Sequence, residues 1–141
     1  MSRVMAIDFG MRRIGVALSD PMRIMAQGLE TISWNGQDSA YAIDRLAQIV
    51  KEKDVSVIVL GKPSRTDGTV SESEEKAKLF GSLLEEKVGI KPEYRDERFT
   101  TVIASQFLRQ TGVSGKDKKK VVDQVAAEII LQEYLDMHRR S

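Results

Sequence analysis

The sequence predicts an α/β protein built on a mixed five-stranded sheet, and three observations predict it. Two short apolar runs, Arg3–Phe9 and Ile14–Asp20, flank a Gly-Met-Arg-Arg turn and read as a β-hairpin. Val55–Leu60 is nearly continuous apolar and β-branched, as in a strand covered on both faces. Between and after these runs lie segments whose apolar residues recur every three or four positions, the period of an amphipathic helix.

The first strand is Arg3–Phe9 and the second Ile14–Asp20, which Pro21 stops because proline cannot donate to a ladder. Met25–Trp34 alternates as a third strand, and Asn35-Gly36 turns the chain. Ala42, Ile43, Leu46, Ile49 and Val50 mark a helix over Ser39–Lys53, with Asp38 or Ser39 as N-cap. After the Val55–Leu60 strand comes a loop, Gly61–Thr69, rich in Gly, Pro, Ser and Thr. A helix follows over Ser71–Val88, with Ala77, Phe80, Leu83 and Leu84 inward and Gly89 closing it. Lys91–Glu97 is a short strand, and Thr100 or Thr101 caps a helix bearing Val102, Ile103, Phe107 and Leu108. A polar loop, Thr111–Lys119, leads into a last helix from about Lys119 to Met137. Each later strand is reached through a helix, so it should cross over right-handed and lie parallel to its predecessor.

With 141 residues, no internal repeat and no linker, the chain is expected to be one domain, 1–141. There is no cysteine, and the single histidine, His138, lies three residues from the C-terminus. Thiolate or histidine zinc sites and Ser-His-Asp triads are therefore not expected, which leaves carboxylates, hydroxyls, Lys and Arg for chemistry. Net charge is only +1, yet basic residues cluster locally near the first hairpin and at Lys116–Lys120. Such patches can bind phosphates whatever the total. No apolar run reaches membrane-spanning length and no signal-peptide core stands at the start, so a cytoplasmic protein with no membrane partner is expected.

Asp8 ends an apolar strand, where an ionised side chain is costly unless a cation or several donors meet it. The plain alternative is that it caps the following turn. Asp123 is sharper. Ala126, Ala127, Ile130, Leu131 and Tyr134 follow it at three, four, seven, eight and eleven residues, so it lies on the inward face of the last helix, beyond the capping position. Asp96 and Glu97 end the last strand on opposite faces, and at most one can face Asp8. In open α/β sheets ligands bind beyond the carboxyl ends of strands, where Asp8, the 61–69 loop and Asp96/Glu97 all fall. Mg²⁺ or Mn²⁺ suits such oxygen ligands, and two ions roughly 3.5–4 Å apart support phosphodiester hydrolysis without histidine or cysteine. Lys62 and Arg65 in the loop, Arg12 and Arg13 in the turn, Arg98 beside the acids, and Lys116 and Lys118 are candidate nucleic-acid contacts. Each is, in the plainer reading, a solvated charge. Trp34 reads as core.

Ala6-Ile7-Asp8-Phe9-Gly10 with Arg12-Arg13-Ile14-Gly15-Val16-Ala17, then Asp96-Glu97-Arg98-Phe99-Thr100-Thr101, then Lys120-Val121-Val122-Asp123-Gln124-Val125-Ala126-Ala127 together resemble the bacterial YqgF family. Its members are described as pre-16S ribosomal RNA nucleases and Holliday-junction-resolvase homologues. The resemblance spans nearly the whole chain in order. It implies an RNase H-like fold and a metal-dependent nuclease whose acids fall on Asp8, Glu97 and Asp123, selecting Glu97 over Asp96. It also implies processing of pre-16S rRNA in ribosome biogenesis, with RNA ahead of DNA as substrate and the ribosome as a partner. Lys62 departs from the family, which more often has an apolar residue between Gly61 and Pro63.

Three other functions compete. One is resolution of four-way DNA junctions by the same acids, which needs a dimer that no feature of the sequence displays. Another is a non-catalytic ribosome- or nucleic-acid-binding module. The third is a phosphate loop of the sugar-kinase and actin-like ATPase kind, which needs two such domains where this chain has room for one.

Overall fold

A computed structural model of the protein describes residues 2–62, 72–96 and 116–139, with the side chains of residues 96, 116–121 and 139 left aside. The strands are β1 (Arg3–Phe9), β2 (Arg13–Ser19), β3 (Ala26–Ser33), β4 (Val55–Lys62) and β5 (Glu93–Asp96). The helices are α1 (Ala40–Glu52), α2 (Glu72–Val88) and α3 (Lys116–Arg139). The sheet runs β3-β2-β1-β4-β5, with β1, β2 and β3 antiparallel and β4 and β5 joined parallel. This is the mixed five-stranded sheet that the sequence predicts.

Strand alternation sorts the core onto two faces. On one, Met5, Ile7 and Phe9 of β1, Ile14, Val16 and Leu18 of β2, and Ile58 and Leu60 of β4 pack under α1 and α2. Leu46, Ile49 and Leu84 are among its fully buried side chains, each worth roughly 1.5–3 kcal/mol by burial. On the other, Val4, Ala6, Ala17 and Val59 meet α3 through Ala127, Ile130, Leu131 and Tyr134. The side chains of this second face are smaller, which lets one helix lie close against the sheet.

Several boundaries differ from those read in the sequence, for physical reasons. Ser39 stands at the N-cap of α1 without a side-chain bond, while Asp38 Oδ1 accepts the Ala40 N–H at 3.0 Å. Leu83 of α2 is 38 % exposed because the buried stripe runs through Ala77, Phe80, Gly81 and Leu84 instead. The last helix begins at Lys116, so the lysine run forms its first turns rather than the loop before it. Lysine is a good helix former, although cations at a helix N-terminus work against the macrodipole. The predicted helix near residues 100–108 lies outside the described residues.

Candidate active site at the carboxyl ends of β1 and β4

Asp8 continues the row Val4–Ala6 onto the face that α3 covers, and it is only 6 % exposed. Its register partners are Gly15 on β2 and Gly61 on β4. Residues directly opposite across strands project to the same face, so the carboxylate is bordered on both sides by positions without side chains. On the Gly15 side, the missing side chain is what admits α3.

The space over Gly15 belongs to α3. A Cβ on Gly15 would overlap the backbone carbonyl of Asp123, so helix and strand touch backbone to backbone there. Asp123 is therefore held above the same face that bears Asp8, next to Asp8's own register partner. The helix phase predicted from the sequence holds, with Ala126, Ala127, Ile130, Leu131 and Tyr134 all buried. Farther along, α3 is pinned to the edge strand β3. Gly28 N–H donates to Glu128 Oε1 at 2.6 Å, and Ala26 N–H to Gln132 Oε1 at 2.9 Å.

Asp123 meets Arg13, whose Nε donates to Oδ2 at 2.8 Å, with side-chain exposures of 34 % for the arginine and 15 % for the acid. Burial holds the Asp123 carboxyl above the ordinary aspartate range, opposed by the hydrogen bond and charge of Arg13. The sequence leaves this inward carboxylate in search of a cation. The structure supplies an arginine from the turn that follows Asp8.

That turn is held by a residue which sequence reasoning assigned only to the core. Trp34 Nε1 donates to the Gly10 carbonyl at 2.8 Å, and the Trp34 backbone N–H donates to the Arg12 carbonyl at 3.0 Å. Its ring packs 5.6 Å from Phe9 and 6.3 Å from Phe80, centroid to centroid, so the aromatic cluster lies under the carboxyl end of β1. A lone tryptophan just past a strand end is the only signal the sequence offers for this role.

The remaining candidates divide. Arg12 is exposed. Lys62 points to α2, where its Nζ meets Glu74 Oε1 at 2.7 Å, and both side chains are largely buried. It is thus engaged inside the protein rather than offered as a solvated cation. Lys116 and Lys118 sit in the first turn of α3. Arg65, Glu97 and Arg98 lie outside the described residues, and Asp96 is placed by its backbone alone, in register with Lys62. Among the described residues no group of three or more His, Cys, Asp or Glu gathers. A cleft of about 710 Å³ opens at the other end of the sheet, beside Arg3, Lys53 and the β2–β3 turn, and shares no residue with this site.

The family model named RuvX, described as Holliday junction resolvase, matches residues 2–137. The chain belongs to the RuvX family. A protein of Ligilactobacillus salivarius named "Putative pre-16S rRNA nuclease" is 44% identical over 137 residues, covering 96% of this chain and 93% of its own. A protein of the same name from Streptococcus equi subsp. zooepidemicus is 42% identical over 135 residues, covering 95% and 97%. In fold, the RuvX chain is similar to Thermus thermophilus RuvC bound to a Holliday junction, with TM-score 0.63 and 10% identity over 100% of this chain and 98% of that one. It is also similar to the fowlpox virus resolvase, with TM-score 0.56 and 12% identity over 96% and 98%. The RNase H-like fold implied by the sequence motifs is the fold that the sheet order and these neighbours share. Among the described residues of this RuvX chain no helix is long and apolar enough to cross a membrane.

Proposed function

We propose that this RuvX-family chain hydrolyses phosphodiester bonds in structured RNA, with the 5′ end of precursor 16S ribosomal RNA as substrate and the cytoplasmic ribosome precursor as partner. One observation carries the reading: the buried Asp8, between two glycines in register, shares its face with Asp123 held over Gly15. Two carboxylates on one face, brought there by the close approach of α3 over Gly15, form a hard-oxygen donor set, and that fits Mg²⁺ or Mn²⁺. Asp8, Asp123 and Glu97 would hold the metal. Glu97 is assigned from the sequence motif alone. Divalent ions, when bound, would lower the pKa of the attacking water and stabilise the leaving oxygen.

The chain's own groups do the rest. Asp8 fixes the site to the centre of the sheet, because β1 is paired on both sides. Arg12 is exposed at the edge of the site and meets the nucleic-acid backbone, joined by Arg65, Arg98, Lys116 and Lys118. Lys62, bonded to Glu74, is left out of that set.

Asp8→Asn is the test: it should abolish metal-dependent cleavage of precursor rRNA while the protein stays folded. Unchanged cleavage by a clean preparation would overturn the assignment. The RuvX family's description and its RuvC-like fold favour one second reading, resolution of four-way DNA junctions by the same acids. Cleavage of a four-way DNA and not of precursor RNA, in one assay, would select it. Tight RNA binding with no Mn²⁺-dependent cleavage would mark a binding module instead.

A further inference from the structure

We propose that Arg13 is a positioning residue that competes with a divalent cation for Asp123 and, once displaced, binds the substrate phosphate, so that cation and nucleic acid assist each other's binding. The inference rests on the carboxylate site proposed above and adds a coupling between its two ligands.

The geometry places Arg13 at the junction of three groups. It opens β2, two residues before Gly15, and so projects to the same face. Gly15 is the register partner of Asp8 and lies under the Asp123 backbone. A position diagonal to Asp8 across an antiparallel pair is about 7–8 Å from it, within reach of a long side chain. From there Arg13 uses one donor, Nε, on one oxygen, Oδ2 of Asp123, at 2.8 Å.

Two properties make this contact exchangeable. Arg13 is 34 % exposed, so its guanidinium has a path to solvent, whereas Asp123 at 15 % does not follow it. A dication on Asp123 would stand within a few ångströms of the guanidinium, and like charges at that distance repel strongly where water is partly excluded. The displaced guanidinium carries a planar fork of donors that matches two phosphate oxygens, a match a lysine cannot reproduce. A cation on Asp123 therefore frees Arg13 for phosphate, and a phosphate that draws Arg13 away frees Asp123 for the cation. Coupling of this kind is reciprocal by thermodynamic necessity.

The test is Mn²⁺ binding to the full chain without nucleic acid, read from the free-ion electron paramagnetic resonance signal. Arg13→Gln should bind Mn²⁺ about 5–20-fold more tightly than wild type, with Arg13→Lys between them. In Arg13→Gln, moreover, nucleic acid added at low temperature and read before cleavage begins should raise Mn²⁺ affinity less than in wild type, and KM for cleavage should rise. Equal or weaker Mn²⁺ binding by a folded Arg13→Gln protein overturns the proposal. If Arg13→Gln fails to fold, Arg13→Lys carries the test alone, and an affinity no tighter than wild type overturns it. Asp8→Asn and Asp123→Asn separate the two readings. If neither weakens Mn²⁺ binding, the carboxylate site itself is wrong; if both weaken it and the Arg13 variants match wild type, only the coupling is wrong.

Discussion

Gly15 and Asp123 are in backbone contact, so that the strand which pairs with Asp8 is also the floor on which α3 rests. A methyl group at position 15 would run into the carbonyl of Asp123, a backbone atom that no rotamer change can move aside. Gly15→Ala should therefore lift α3 and carry the Asp123 carboxylate away from Asp8. The expected cost is roughly 1–3 kcal/mol in urea unfolding, with cleavage lost beyond what unfolding explains. Gly28→Ala is the control. There the new methyl would meet Gln124 Cβ at 3.3 Å and Oε1 at 3.4 Å, tight contacts without overlap, and both stability and cleavage should change less.

Asp8→Asn tests the site without disturbing its frame. The amide is nearly isosteric, and β1 is held by strands on both edges, so the sheet should stay intact. The variant should keep a cooperative thermal unfolding transition without metal. Cleavage should fall by more than about 10³-fold, because the position would contact the metal directly. A loss of under tenfold at saturating Mn²⁺ would remove Asp8 from the chemistry.

The raised Asp123 carboxyl predicts a direction for stability against pH. The folded protein keeps this proton at pH values where the unfolded chain has released it, so the folded state binds more protons across that window. Stability contributed by Asp123 should then fall as pH climbs from the ordinary aspartate value of 3.8 through the raised folded one. Measured with chelator present, the stability of wild type minus that of Asp123→Asn should decline across the window. Arg13→Gln removes the partner that opposes the shift, and should extend the decline to higher pH. A difference that rises with pH would contradict the burial assignment.

Elements and faces were legible in the sequence because each is a repeating pattern. The continuous apolar run Val55–Leu60 marks a strand covered on both faces, the three-four spacing after Asp123 states which side of the helix meets the core, and both hold. Side-chain pairings were not legible. Arg13 and Asp123 are 110 residues apart, and nothing in either segment names the other. The Trp34 indole N–H reaches the Gly10 carbonyl only because β3 returns alongside β2, a consequence of register rather than composition. Glycine carried a signal that was readable only with the sheet in place. Gly15 reads as an ordinary strand position and Gly61 as the start of a loop, and both become the bare neighbours of Asp8 once β1 is paired on both sides.

Lys62 is where sequence and structure assign different jobs, and one experiment separates them. In the sequence it is a basic residue in a substrate-facing loop; in the structure its ammonium meets Glu74 at 2.7 Å, and the acid is only 6 % exposed. The pair ties the end of β4 to the first turn of α2, next to Gly61 and hence next to Asp8. Removing one member of a largely buried ion pair is far more harmful than replacing both with apolar residues. Lys62→Met should therefore cost roughly 3 kcal/mol of stability, and Lys62→Leu combined with Glu74→Leu should recover most of it. Were Lys62 instead a phosphate contact, Lys62→Met would leave stability unchanged and lower the salt dependence of RNA binding by about one counterion. The buried contact predicts the first outcome, with the salt dependence of RNA binding by the folded variant unaltered.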